Sequence, residues 1–135
     1  MDKLEYIPGD LAFHYIPKAI IKKYAKVYVC STQNALSLED MDGNLYDYIG
    51  ELYPIPLTTE ILEKNGWNGA THSKQSDDNT KILYKTFKRK GYPTIKVSQD
   101  LKITCELSPF IVKLESVSDL QHLLFGLGLD SNLKI

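Results

Sequence analysis

Apolar and polar residues alternate with a period of two in the second half of the chain, which predicts a small antiparallel sheet with one face in water. Strand-like runs cover residues 81–88, 94–97, 101–107 and 110–115. Successive side chains of a strand point to opposite faces, so each run presents one set of residues to a core. The residues predicted to face inward are Ile95, Val97, Leu101, Ile103, Cys105, Leu107, Phe110, Val112 and Leu114.

The first 54 residues contain shorter apolar runs that are separated by turn residues. The Asp42-Gly43 pair is a strong hairpin signal, and residues 26–30 form another strand-like run. Several short strands this close together favour a small SH3-like barrel, because closure shortens exposed sheet edges. In residues 16–25, a helical spacing of apolar residues competes with Pro17, so we expect an elaborated loop with one helical stretch there.

The clearest local signal is for a short helix over residues 58–65. Thr58 is the predicted N-cap, because its hydroxyl can accept a hydrogen bond from an amide of the first turn. Gly66 suits the left-handed position that follows a helix, and Trp67 can then fold back onto Leu62. Start and stop signals therefore agree.

A second helix is predicted near the end of the chain, over residues 118–127. Ser116 and Ser118 offer two overlapping N-caps, and Ser118 has the capping-box spacing to Gln121. An apolar stripe with helical spacing would pack this helix on the second sheet. The stripe consists of Leu120, Leu123, Leu124 and Leu127.

These elements predict an α+β fold. An N-terminal SH3-like small β-barrel is followed by a short helix and by an antiparallel sheet that a C-terminal helix packs. A polar stretch over residues 68–80 predicts a mobile loop or hairpin tip. The prolines at 54 and 56 suggest a boundary between modules of residues 1–54 and 55–135, and one continuous domain is the alternative.

The composition is that of a soluble globular protein. The chain has 135 residues, 24% of them charged, and a formal net charge of −1. No apolar run approaches the roughly 20 residues that cross a bilayer, and the first residues lack a signal-peptide pattern. We therefore expect a cytoplasmic protein without membrane association.

Two motifs resemble those of a known family. Residues 54–67 read PIPLTTEILEKNGW and residues 120–129 read LQHLLFGLGL. Together they resemble a family of small uncharacterised proteins of gut Bacteroidales and of their phages and mobile elements. That family shows the patterns PIPLTEEILLKNGF and VHQLQHLLFGLG, and this chain has Val117-Ser118-Asp119 where the second pattern has Val-His-Gln. The resemblance implies an origin in mobile DNA and transfers no catalytic residue.

Basic and aromatic residues interleave in residues 81–92, which suggests a nucleic-acid-binding strand. Residues 1–80 carry a net charge of −5, whereas residues 81–135 carry +4. Phosphate neutralisation together with base stacking would need this combination, but exposed lysines also protect ordinary edge strands. The candidate binding residues are Lys81, Tyr84, Lys85, Phe87, Lys88, Arg89, Lys90 and Tyr92.

The leucine-rich helix suggests a second kind of surface. It is apolar nearly all round, so it is either buried on two sides or in contact with another chain, for which a homodimer is one arrangement. The candidate interface residues are Leu123, Leu124, Phe125 and Leu127. Nine tyrosines would also suit a contact surface, although tyrosine is common in strands.

No catalytic or metal-binding pattern stands out. Cys30 and Cys105 are interpreted as reduced, buried thiols, with a disulfide as the alternative. His122 is interpreted as structural, since Glu115 and Asp119 are its only obvious acidic candidates by sequence. A calcium loop near residues 40–44 lacks its bidentate glutamate. We therefore predict no enzyme activity, no cofactor and no metal.

The sequence leaves two hypotheses for function. The first is a non-enzymatic accessory protein of phage or mobile-element origin that binds a partner protein. The alternative is a nucleic-acid-binding module that uses residues 81–92.

Overall fold

The structure is a computed structural model that describes residues 6–16, 21–30, 35–75, 81–107 and 109–135. These residues form ten strands and two helices, which confirms the predicted α+β class and its antiparallel pairing. The first sheet contains β1 (Leu11–Tyr15), β2 (Lys22–Cys30), β3 (Ala35–Asp40), β4 (Leu45–Ile49) and β5 (Tyr53–Pro54). The second part contains α1 (Thr59–Lys64), β6 (Asn68–Gln75), β7 (Lys81–Lys88), β8 (Ile95–Ser98), β9 (Ile103–Leu107), β10 (Phe110–Lys113) and α2 (Val117–Gly126).

The first sheet has the strand order β4-β3-β2-β1-β5. The last strand returns to pair with the first, with Phe13 opposite Tyr53. The described residues contain no pairing between β4 and β5, so the sheet is not a closed barrel. A hairpin turn joins β3 to β4 as predicted, because the Gly43 amide donates to the Asp40 carbonyl at 3.1 Å.

The strand β2 begins earlier than the sequence predicted. Residues 22–25, which we expected in a loop with a helical stretch, pair with β1, and residues 17–20 lie outside the described residues. The prediction was wrong because this segment fits two patterns. Its apolar residues have a helical spacing, but Lys22, Tyr24 and Lys26 are also every second residue and share one face of a strand. Pairing with β1 decides between the two patterns.

The helix α1 confirms its predicted caps. The Thr58 hydroxyl accepts a hydrogen bond from the Ile61 amide at 3.3 Å. At the other end Gly66 has a φ of +90°, and the Trp67 amide donates to the Leu62 carbonyl at 3.1 Å. Only a residue without a Cβ takes this conformation cheaply, so Gly66 lets Trp67 turn back into the core. Both Trp67 and Leu62 are fully buried.

The polar stretch after α1 is a strand rather than the predicted loop. β6 pairs with β7 along its whole length, from Asn68 opposite Lys88 to Gln75 opposite Lys81. A single-sequence pattern misses this strand because it lies at the sheet edge and contains residues that strands disfavour. The rest of that predicted loop or hairpin tip, residues 76–80, lies outside the described residues.

The second sheet has the order β10-β9-β8-β7-β6, and its inner face contributes Phe87, Ile95, Val97, Ile103 and Cys105 to the main buried cluster. Two of the predicted inward residues are exposed instead. Leu101 lies in the turn between β8 and β9, where its φ is +64°, and Phe110 begins the edge strand β10. Turn geometry and the sheet edge override the alternation at these positions. The predicted inward residues that are buried are Ile95, Val97, Ile103, Cys105 and Leu114, with Leu107 and Val112 partly buried.

The helix α2 begins at Val117, one residue before its predicted start at 118. Ser116 is the N-cap, and its hydroxyl and the Asp119 carboxylate form a capping box. Ser118 is instead buried inside the first turn. The earlier start places Val117 in the core, so burial decides which of the two available caps is used.

Both sheets contribute to one core cluster. Leu11 and Phe13 of β1 belong to the same buried cluster as Leu120 and Leu124 of α2 and as Leu133 near the last residue. A smaller cluster of Ala25, Val27 and Leu38 lies on the other face of the first sheet. The two predicted modules are therefore joined through the side of β1 that faces α2.

Cys105 lies in the second sheet as a free, buried thiol, and burial raises its pKa. The side chain of Cys30 lies outside the described residues, so the predicted thiol there stays a prediction. Within the described ranges, no helix is both long enough and apolar enough to cross a bilayer.

Candidate interaction surfaces

Aromatic side chains gather on the face of the first sheet where β5, β1 and β2 lie side by side. Phe13 of β1 is directly opposite Tyr53 on one side and Tyr24 on the other, and Tyr15 follows two residues later on the same face. Phe13 is buried, whereas Tyr15, Tyr24 and Tyr53 are 40%, 40% and 38% exposed. We call these four residues the tyrosine cluster.

Ring contacts hold the tyrosine cluster together. Tyr53 stacks on Phe13 with 5.5 Å between the ring centroids, and Tyr15 meets Tyr53 edge-on at 5.6 Å. Tyr24 is tilted against Phe13 at 6.0 Å. Both distances and angles lie in the range preferred by aromatic pairs. The three tyrosine rings therefore contact one another or Phe13 while about two-fifths of each tyrosine remains exposed.

One cation and one carboxylate border the tyrosine cluster. The Lys22 ammonium lies 4.7 Å from the centroid of the Phe13 ring, within the range of a cation–π contact. The Tyr53 hydroxyl donates to the Glu51 carboxylate at 3.2 Å. This hydrogen bond is the main cause that raises the pKa of Tyr53. The hydroxyl of Tyr53 is therefore held in its neutral, donating form.

The opposite face of the same sheet is organised around a buried histidine. His14 Nε2 lies 2.8 Å from the Tyr46 hydroxyl, and the His14 ring stacks on Tyr48 at 4.1 Å. The Lys23 ammonium lies 4.1 Å from the centroid of the Tyr46 ring. Desolvation is the main cause that raises the pKa of Tyr46. Hydrogen bonding and stacking thus account for His14 as a structural residue.

The candidate nucleic-acid strand β7 does not present its basic residues on one surface. Phe87 is 1% exposed and belongs to the core, so it is removed from the predicted stacking residues. Lys85 lies on the same face as Phe87, whereas Tyr84 and Lys88 lie on the outer face, because strand side chains alternate. The side chain of Lys81 lies outside the described residues.

Arg89 and Tyr92 after β7 form a packed group with Trp67. The Arg89 guanidinium lies 3.8 Å from the Tyr92 ring centroid and 5.1 Å from that of Trp67. The Trp67 indole nitrogen donates to the Pro93 carbonyl at 3.2 Å. Arg89 and Tyr92 therefore serve the packing around Trp67, whereas Lys90 is exposed.

The predicted leucine interface divides between core and surface. Leu124 is fully buried, which removes it from the candidate interface, and Leu123 is partly buried against the core. Phe125 and Leu127 remain 67% and 44% exposed. One side of the helix covers the second sheet, and only part of its apolar surface stays exposed. The candidate interface is therefore smaller than the sequence predicted.

His122 pairs with an acid that the sequence did not indicate. Its Nε2 lies 2.7 Å from Oδ2 of Asp10, a buried residue in the turn before β1. The sequence candidate Asp119 is used by the helix cap, where it accepts hydrogen bonds from the Glu115 and Ser116 amides. The two residues are 112 positions apart in the sequence, so no local sequence pattern could predict their contact.

The residues that the structure describes contain no cluster of metal-ligating side chains. No group of three or more His, Cys, Asp or Glu side chains in this part of the chain could hold a metal ion. Comparison of the chain with models of protein families, with curated proteins and with solved structures gave no match.

Proposed function

We propose that this chain is a non-enzymatic accessory protein of phage or mobile-element origin, which acts in the cytoplasm by binding another protein through the tyrosine cluster. The single observation that carries the proposal is an ordered group of tyrosine rings that remain about two-fifths exposed. Tyrosine is enriched at interface cores, and rings that already hold one another lose little entropy on binding. The proposed origin rests on the motifs of residues 54–67 and 120–129.

The topology of the first sheet supports an SH3-like arrangement as part of this proposal. β5 returns to β1, and an irregular register between Val27 and Val29 in β2 marks a β-bulge. Bulges bend strands and favour a curled sheet. In such a sheet the small cluster around Leu38 lies inside and the tyrosine cluster lies outside.

Photo-cross-linking tests the proposed contact surface. A benzophenone amino acid replaces Tyr24 in the full chain, and a control variant carries it at Ile111, which is exposed on the second sheet. We expect a protein adduct from position 24 in the producing cell and none from position 111. The proposal fails if position 24 gives no adduct or the same adducts as position 111.

Nucleic-acid binding is a second candidate, favoured by the outer face of the second sheet. Register places Lys88, Lys96 and Lys113 on that face, and the Lys96 ammonium lies 4.5 Å from the Tyr84 ring centroid. Binding of single-stranded DNA would weaken steeply with added salt. Replacing Lys88, Lys96 and Lys113 together by alanine would abolish it, and no binding by the wild type at low salt removes this candidate.

A further inference from the structure

The hairpin that carries the tyrosine cluster has an unusual charge distribution. Residues 11–30 contain four lysines and no aspartate or glutamate, although residues 1–80 as a whole carry a net charge of −5. Alternation along β2 places Lys22 and Lys26 on the face that holds Tyr24. Of these four lysines, Lys22 and Lys26 therefore lie beside the rings, whereas Lys23 lies on the opposite face.

The carboxylates nearest this face leave Lys22 uncompensated. Glu39 is the cross-strand neighbour of Lys26, and Glu51 accepts the hydrogen bond from Tyr53. Lys22 is opposite Tyr15 in the register and has no ion pair with a carboxylate of the described residues. A ligand with negative charges would thus find a cation beside exposed rings.

The ring geometry favours a peptide over stacked bases. One face of Tyr53 lies against Phe13, and the Lys22 ammonium lies over the Phe13 ring. Base stacking needs open ring faces in succession, and these contacts reduce them. The hydroxyls of Tyr15 and Tyr24 make no hydrogen bond to a described residue that would prevent them from donating to a carboxylate.

We propose that the tyrosine cluster binds an acidic segment of a partner protein, of which one carboxylate meets Lys22 and the apolar side chains lie on Tyr15, Tyr24 and Tyr53. This inference rests on the proposed protein-binding function and names its partner chemistry. Lysine beside ordered tyrosine rings supplies both parts of such a contact, charge for orientation and apolar area for affinity.

Fluorescence anisotropy with defined probes tests the inference. The probes are fluorescein-labelled (Glu-Pro-Leu)4, its neutral counterpart (Gln-Pro-Leu)4, and the single-stranded oligonucleotide dT12. We expect the full chain to bind the acidic peptide about tenfold tighter than the neutral one. Lys22→Gln should weaken acidic-peptide binding about fivefold and Tyr24→Ala about tenfold. The matched control Lys96→Gln, on the second sheet, should leave it within about twofold.

Each other outcome has a defined meaning. Equal affinity for the acidic and neutral peptides overturns the inference, as does equal weakening by Lys22→Gln and Lys96→Gln. Tighter binding of dT12, lost in Lys22→Gln, replaces the peptide with nucleic acid. A cross-link from position 24 without a preference for the acidic peptide refutes the partner chemistry but keeps the protein-binding function. If there is neither a cross-link nor a preference for the acidic peptide, both proposals are refuted. Circular dichroism of the Tyr24→Ala variant checks its fold, and Lys22→Gln tests the idea with every ring of the tyrosine cluster in place, although it removes the cation over the Phe13 ring.

Discussion

Gln121 joins three separate parts of the chain through one side-chain amide. Its Oε1 accepts a hydrogen bond from the Leu11 amide at 2.8 Å, and its Nε2 donates to the carbonyls of Gly9 and Ser131 at 2.9 and 3.1 Å. The side chain is buried on α2. We predict that Gln121→Ala destabilises the whole protein, because it disconnects the first sheet and residues 129–135 from α2.

The hydrogen bonds set the size of the effect. A buried amide left without an acceptor costs about 1–3 kcal/mol, which applies to Leu11. Each of the two carbonyls loses a bond worth about 0.5–1.5 kcal/mol, and the freed side-chain entropy offsets up to about 2 kcal/mol. We therefore expect the free energy of unfolding to fall by about 3 kcal/mol. Gln99→Ala, at an exposed position, should change it by less than about 0.5 kcal/mol.

Urea unfolding with two probes measures this effect. The fluorescence of the buried Trp67 reports on the second sheet, and near-ultraviolet circular dichroism of the tyrosine cluster reports on the first. If the shared core makes one cooperative unit, both signals of the wild type change at the same urea concentration. A loss below about 1 kcal/mol in Gln121→Ala, or separate transitions in the wild type, would refute the reasoning.

Three further predictions concern packing and pH. Gly69→Ala should cost about 1–3 kcal/mol in urea unfolding, because a Cβ there would lie 2.6 Å from Cε2 of Phe87. Leu124→Ala should cost about 2–5 kcal/mol and Phe125→Ala less than about 0.5 kcal/mol, since only the first is in the core. Burial, with a smaller effect of nearby carboxylates, raises the pKa of Tyr6 from 10.0 to about 12. Folding thus favours its neutral form, and this stability is present below about pH 10 and lost as the pH rises towards about 12.

Matched variants provide the controls. Gly126→Ala meets nothing within 4 Å and should not destabilise α2, so an equal loss in both glycine variants would contradict the close approach at Gly69. Similar losses at positions 124 and 125 would contradict the division of α2 into a core side and a wet side. Tyr6→Phe should unfold with a weaker pH dependence between about pH 10 and pH 12, and an unchanged dependence would contradict the assigned cause.

The sequence predicted correctly those elements whose boundaries are determined by residues within a few positions of one another. The boundaries of α1 follow from local residues, Thr58 at its start and Gly66 and Trp67 at its end. The alternation in residues 103–107 follows from one buried strand face and needs no knowledge of the neighbouring strands. Distant partners decide the errors. β6 is a strand because β7 pairs with it, and α2 starts at Val117 because that side chain completes the core.

The tyrosine cluster was not predicted from the sequence. The sequence contains Lys22, Tyr24 and Lys26 at every second position, but the helical spacing in residues 16–25 favours a loop with a helical stretch. Tyr53 contacts Phe13 only because β5 returns to pair with β1. The contact between His122 and Asp10 depends in the same way on tertiary structure. Composition suggested a tyrosine contact surface without locating it, since location depends on which strands are neighbours.

The contact between Leu11 and Gln121 spans 110 residues, and this distance has a consequence for how the chain folds during synthesis. The ribosome releases β1 long before α2, so Leu11 and Phe13 spend that interval without the helix that covers them. Contacts between residues far apart in the sequence form slowly, and apolar strands that are exposed before their packing partner is synthesised are prone to aggregate. Pausing of translation within residues 55–116 would therefore prolong the period of greatest risk for this protein.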